Sequence, residues 1–219
     1  MKVTLLNVTP NAEEHIVEVA RVSSSRKDKK ANPSGLLNYL IKHSHWSPFE
    51  HSYATFEIET SKAIGIQLIR HRSFTFQEFS QRYQDVNKAG DGLFEPIELR
   101  AQCEDNRQSS TEVIDPEIGF EYFKGKASEV IKTHLSRSEF LYNQLLEAGV
   151  AREQARMILP LATTTKIHMT GSIRSWIHFL KLRDDAHAQK EIQLVAKEIK
   201  KHFIEQFPII SKALGYEAE

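Results

Sequence analysis

The sequence predicts a single domain that mixes long helices with a few strands, and three observations carry that expectation. The chain has 219 residues, enough for one sizeable core, and no Gly/Ser/Pro-rich linker divides it. Residues 1–8, 52–60 and 163–170 are β-branched or alternate between apolar and polar types, as strands do. Most of the remainder places its apolar residues at helical spacing.

In chain order, Met1 to Val8 reads as a strand closed by Thr9-Pro10. A helix follows from Ala12 to about Val22, with Ile16, Val17, Val19 and Ala20 as its apolar face. Ser23 to Lys30 is a polar run without a stripe, read as a solvated loop whose serines and basic residues could also touch a phosphate. Asn32-Pro33-Ser34 opens a second helix through Leu36, Leu37, Leu40 and Ile41, with Ser34 as its N-cap. His43, His45, Trp46, Glu50 and His51 then come close together. An imidazole and an indole with Glu50 as acceptor suit the wall of a pocket for a planar ligand better than a metal centre, because a metal-bound imidazole ordinarily has its own carboxylate partner.

Ser52 to Thr60 alternates strictly, with Ala54, Phe56 and Ile58 on one side and Tyr53, Thr55, Glu57 and Glu59 on the other, which predicts a half-buried strand. Ser61 caps a helix that buries Ala63, Ile64, Ile66, Leu68 and Ile69. Gln67, Arg70 and His71 stand at i, i+3 and i+4, so they share a face of that helix and point past its end into a loop. The loop is the densest stretch of the chain in usable chemistry, from Arg70-His71-Arg72 through Phe74, Phe76, Glu78, Phe79 and Ser80 to Arg82 and Tyr83. Three arginines answered by one glutamate repel one another unless an anion joins them, and each guanidinium offers a fork that fits phosphate. A solvated basic loop is the plain alternative. The interleaved aromatics favour a phosphate-bearing ligand with a flat ring.

Residues 84–116 turn polar, apart from an apolar island at 93–99, and read as a long excursion with at most one short strand. A long helix is expected over Gly119 to Glu147, with Phe120, Phe123, Ala127, Val130, Ile131, Leu135, Phe140, Leu141, Leu145 and Leu146 on its stripe and Gly149 as its stop. Ala151 to Leu159 is helical, carries Arg152 and Arg156, and ends at Pro160. After the strand at 163–170, Gly171-Ser172 turns the chain into a helix from Ile173 to Leu182. Its buried arc is Ile173, Trp176, Ile177 and Leu180, while Arg174, His178 and Lys181 gather elsewhere at i, i+4 and i+7. A polar junction, Arg183 to Gln189, leads into a last helix ending near Phe207, with Ile192, Val195, Ile199 and Phe203 as its core stripe.

Composition narrows the function classes. Lys plus Arg and Asp plus Glu both number 29, so the formal net charge is zero, which argues against a nucleic-acid coat or a membrane-surface binder. Any basic site must be local. The lone Cys103 offers neither a disulfide framework nor a thiolate metal site, and fits a reducing cytosol. No stretch has the length of a membrane span or the pattern of a signal peptide, so a cytoplasmic protein is expected.

The residues now carry a resemblance. Arg70-His71-Arg72, seven further residues and Ser80, with Glu78 and Arg82, resemble the signature of the flavin-dependent thymidylate synthases. His45 to His51, Arg156 ahead of Leu159-Pro160, and Ser172 through Gln189 resemble further segments of that family in the right order, so the likeness runs from about Ser23 to Gln189. The resemblance implies one α+β domain over 1–219 with a mostly antiparallel sheet, assembled as a homotetramer with shared active sites. It implies that Arg70, His71 and Arg72 bind FAD, with Ser47, Glu78, Ser172, Arg174 and His178 adding contacts. Gln67, Arg70, Glu78, Ser80, Arg82, Arg156 and Arg183 would hold deoxyuridine monophosphate (dUMP), and His45 would lie where folate stacks. The implied reaction is reductive methylation of uracil C5, with 5,10-methylenetetrahydrofolate as carbon donor and NADPH as source of reducing equivalents. Arg183 is the expected activating group, and no metal is expected. Lone Cys103 in its hydrophilic setting accords with a mechanism lacking a cysteine nucleophile.

Two other classes use the same residues. A nucleotide- or RNA-binding module would employ the arginine and aromatic pairs for phosphate and stacking. A metal-dependent phosphohydrolase would employ His43, His45, His51 or His187 with Asp184 and Asp185.

Overall fold

The computed structural model describes residues 1–23, 33–90, 92–120 and 123–216. Ser24 to Lys30 and Asn32, which belong to the expected polar loop and helix start, lie outside the described residues. Among those described, eight α-helices and eight strands form an α+β fold whose sheets are antiparallel.

Strands β1 (Lys2–Val8), β2 (Tyr53–Ser61), β3 (Thr75–Glu78) and β8 (Thr164–Ser172) make the main sheet in the order β1-β2-β8-β3. Alternation in β2 does what its sequence requires: Ala54, Phe56 and Ile58 are buried, and β8 answers with Met169 opposite Phe56 and Ile167 opposite Ile58. The other face is polar, with Glu57 against His168 at 2.9 Å and Lys166 reaching both Glu57 and Glu59. β3 was expected as loop. It is an edge strand of four residues, too short and too polar to announce itself, and its pairing puts Phe76 opposite Met169 and Glu78 opposite Ile167. Glu78 thereby faces the helix-covered side of the sheet.

That side is closed by α1 (Ala12–Arg21), α2 (Pro33–Lys42), α6 (Ile173–Arg183), α7 (Lys190–Gln206) and α8 (Pro208–Leu214). α2 begins at Pro33, so Ser34 lies within its first turn instead of capping it; proline suits a first helical position because its missing N–H would be unpaired there anyway. α8 is one helix more than the sequence reading allowed. Its backbone is tied in by the Ile210 N–H, which donates to the buried Glu13 carboxylate at 2.7 Å.

α3 (Lys62–Leu68) is capped as expected, with Ser61 Oγ accepting from the Ile64 N–H at 3.4 Å. It is shorter than expected, however. Arg70 and His71 lie beyond its end, and Ile66 and Ile69 are exposed, not buried. The excursion contains one hairpin, β4 (Arg100–Gln102) with β5 (Ser110–Val113), and a second follows it, β6 (Glu117–Phe120) with β7 (Phe123–Lys126). The long helix α4 (Ala127–Glu147) therefore starts eight residues later than the stripe suggested. Asp115 holds its start, accepting from the Ser128 N–H at 2.9 Å and the Ser128 hydroxyl at 2.8 Å. Its end is the expected one. Gly149 adopts φ 83°, its N–H donates to Leu146 O, and the Val150 N–H donates to Leu145 O, a Schellman closure. α5 (Arg152–Ala155) and a 3-10 turn at Arg156–Ile158 follow.

Of the expected α4 stripe, Phe140 is 67% exposed and Leu141 is also open. Met157 at 75% and Leu161 at 61% are exposed apolar side chains too.

Candidate active site

Two clefts flank α6, and the sequence of that helix explains why. Ile173, Trp176, Ile177 and Leu180 are buried, as the spacing requires. Arg174, His178 and Lys181 consequently stand on the open side. The Ser172 hydroxyl caps the helix by accepting the Ser175 N–H at 3.2 Å, and Ile173 N–H donates to Ser52 O at 2.8 Å. The helix start is thus fixed to the sheet.

The larger cleft, of about 600 Å³, lies at this end of α6 and is lined by Trp46, Glu50, Tyr53, Ser172, Arg174 and His178 among others. Arg174 makes a short ion pair with Glu50. The smaller, of about 500 Å³, lies at the other end, where Gln67, Arg183, Asp185, His187 and Gln189 meet Gln108 from the first hairpin. Lys181 lines both. Among its walls, Gln67 Nε2 donates to Gln189 Oε1 at 2.6 Å.

The Arg70-to-Arg82 stretch is held by an aromatic cluster. Phe74 packs edge-on against Trp176, with ring centroids 4.6 Å apart, and its ring lies over Gly171, where an added Cβ would come within 2.4 Å of ring carbons. The Trp176 indole N–H is satisfied by Ala54 O at 3.1 Å. His71, 9% exposed, lies edge-on to Phe179 and accepts from Arg183, whose Nε is 2.9 Å from His71 Nε2. Burial, with Arg183 and then His178 adding positive charge nearby, lowers the His71 pKa from 6.5 to about 4. The ring is therefore neutral at pH 7. Burial also lowers the Arg183 pKa, leaving it a cation with a depleted water shell.

The other expected site residues divide into groups. Arg70 and Arg72 are exposed and have no hydrogen-bonding or charged partner among the described residues. Glu78 accepts from Lys62 Nζ and from the Thr165 hydroxyl, both at 2.8 Å. Arg82 pairs with Glu153 at 3.5 Å, and Arg156 Nε reaches Glu153 O at 3.4 Å, so these two guanidiniums gather on α5; neither lines either cleft. Ser80, two residues before Arg82, is half-buried at the turn where its carbonyl accepts the Tyr83 and Gln84 N–H groups. Ser47 opens a 3-10 turn and is exposed. His45 is exposed as well and lies with Tyr39 and His43 in a ring cluster.

Tyr53, Ser175 and Gln108 were not singled out from sequence but line the clefts, together with Ser73 of the Arg70-to-Arg82 stretch. Only Tyr53 left a signal, as an outward aromatic at the start of an alternating strand. Among the described residues, no three His, Cys, Asp or Glu side chains are arranged to hold a metal ion. His187 Nδ1 is instead 2.8 Å from Asp185 within one turn.

The larger cleft can hold an anion and a planar ring together. Its helix N-terminus, Arg174 and Lys181 favour phosphate, and Trp46 and Tyr53 offer ring faces. An FAD pyrophosphate and ring system fit that donor set. Comparison with known proteins bears on the family of the chain, not on the place of the cofactor. The model of the thymidylate synthase complementing protein family matches residues 4–209. A probable flavin-dependent thymidylate synthase of Paramecium bursaria Chlorella virus 1 is 44% identical, over 94% of this chain and 91% of the viral protein. Flavin-dependent thymidylate synthases of Synechocystis sp. and Thermosipho africanus are 40% and 37% identical, over 92% and 88% of this chain and 88% and 81% of their own lengths.

Proposed function

The chain belongs to the thymidylate synthase complementing protein family, that of the flavin-dependent thymidylate synthases, and we propose from that premise that it converts dUMP to thymidylate, using 5,10-methylenetetrahydrofolate as carbon donor and NADPH as reductant. The observation that carries the reading is the position of α6 between two clefts, with Arg174 and His178 open to one, Arg183 to the other, and Lys181 to both.

A bound flavin, reduced by NADPH, supplies the hydride that completes the methyl group; the protein contributes binding, orientation and charge. Ser172, Arg174 and His178, with Ser47 and the exposed pair Arg70 and Arg72, bind the FAD phosphates and ring. Arg183 lies beside the pyrimidine, where its charge stabilises an anionic uracil and raises the nucleophilicity of C5. Gln67 orients the same base from α3. Glu78, positioned by Lys62 and Thr165, adds contacts to FAD and to dUMP. Cys103 lies in the first hairpin and lines neither cleft, in keeping with a reaction that uses no cysteine nucleophile.

Arg82, Arg156 and Ser80 then bind the nucleotide phosphate of a site completed by a second subunit. The gathering of Arg82 and Arg156 at Glu153 on α5, apart from the cleft that Arg183 lines, supports shared sites, and the exposed apolar side chains of Phe140, Met157 and Leu161 support a homotetramer that covers them. His45 serves the folate. No helix among the described residues is long and apolar enough to cross a membrane, and we place the reaction in the cytoplasm.

Arg183→Ala tests the assignment of the activating group. Flavin should stay bound and NADPH oxidation should persist, while thymidylate formation falls by roughly 10²–10³-fold, the usual cost of one charge-stabilising donor. Undiminished thymidylate formation would remove that role from Arg183.

A further inference from the structure

We propose that His71 is a positioning residue for Arg183: its Nε2 accepts the Arg183 Nε–H, fixing the plane of the guanidinium and leaving both Nη groups free for the pyrimidine in the smaller cleft. The inference rests on the dUMP reading of that cleft, and it gives His71 a task toward the nucleotide that is separate from any contact with flavin.

Three features of the structure carry it. The bond is 2.9 Å long and spans 112 positions of sequence, so it ties the end of α6 to the turn after α3. His71 is well braced for this purpose. Its N–H donates to Leu68 O and its carbonyl accepts the Phe74 N–H, both at 3.1 Å, while its ring stands edge-on to Phe74 and Phe179. An acceptor at Nε2 requires the Nδ1–H tautomer of the neutral ring. The enclosed position, with the Arg183 guanidinium alongside, maintains that neutral form.

Arg183 needs such a brace. It is the last residue of α6, and its guanidinium has no other described partner. A long side chain at a helix end otherwise samples many rotamers, and ordering them on binding would weaken affinity. Holding Nε leaves the two Nη groups as a preset fork.

A double-mutant cycle on the FAD-loaded enzyme tests the proposal, read as dUMP affinity by calorimetry and as kcat and KM for thymidylate formation. His71→Phe keeps a ring and removes the acceptor; His71→Gln keeps an acceptor near the Nε2 position. The Phe variant should bind dUMP about tenfold more weakly, as expected for loss of one hydrogen bond to a charged group, and the Gln variant should recover most of that. His71→Phe combined with Arg183→Ala should bind dUMP no more weakly than Arg183→Ala alone. Multiplying losses, no recovery with Gln, or a Phe variant that loses flavin absorbance with unchanged dUMP affinity would each overturn it. Histidine ¹⁵N spectra of the wild type supply a second measurement that needs no His71 variant: one neutral Nδ1–H ring whose signal moves in Arg183→Ala is expected, and its absence would also overturn the proposal. A wild type unable to make thymidylate would instead fault the parent reading.

Discussion

Acidification should destabilise this protein through His71 in a way that a single substitution abolishes. The unfolded chain takes up a proton at this position near pH 6.5, whereas the folded chain does so only near about 4, because the ring is buried beside Arg183 and His178. Between those values the unfolded state binds more protons, so stability present above pH 6.5 is lost as pH falls. With 1.36 kcal/mol per pKa unit, the shift from 6.5 to about 4 is worth about 3 kcal/mol in full, and about 2.5 kcal/mol of it is lost between pH 7.5 and pH 4.5. His71→Gln accepts the same hydrogen bond without titrating. Urea unfolding midpoints for the two proteins, at one fixed protein concentration because assembly shifts apparent stability, measure the difference. Other groups, such as Glu57, whose hydrogen bond from His168 lowers its pKa, contribute equally to both proteins and cancel. If wild type and His71→Gln lose the same stability over this range, His71 is not buried and neutral as described.

Two further outcomes follow from packing. Gly171→Ala drives a Cβ to within 2.4 Å of the Phe74 ring, which is confined by Trp176 and Phe179, and should cost about 1–3 kcal/mol in denaturant unfolding, as overpacked cores do; an unchanged midpoint would mean that Phe74 does not cover this strand. Arg100 ties the first hairpin to Glu191 on α7, and Arg100→Ala should speed amide exchange over residues 100–113 while β2 and β8 stay protected. Equal acceleration throughout would mean that the hairpin is not a separable unit.

Legibility in the sequence followed how much of a signal was local. The β2 alternation, the Ser61 cap, the turn into α6 at Gly171-Ser172 and the Gly149 stop each rest on residues a few positions apart, and all were readable. The hairpins were not. β5 is exposed at every residue, so it buries no face and leaves no period to read. The stripe that seemed to begin at Gly119 ran a strand pair into a helix, because Phe120 and Phe123 happen to continue the helical spacing. Ile66, Ile69, Phe140 and Leu141 show the limit of apolar periodicity: it marks a face that wants covering, without saying whether the same chain covers it. At the site, Arg174, His178 and Lys181 were legible as one helical face. The pairing of His71 with Arg183, and of Glu78 with Lys62 and Thr165, depends on how sheet and helices meet, which spacing does not encode.

The central claim, that this chain makes thymidylate with a flavin, is tested most directly by supplying the purified protein with FAD, dUMP, 5,10-methylenetetrahydrofolate and NADPH and following flavin absorbance together with product. The expected result is a yellow protein, bleached by NADPH, that forms thymidylate only when all components are present. A colourless protein that takes up no added FAD, or one that holds FAD but forms no thymidylate, would contradict it.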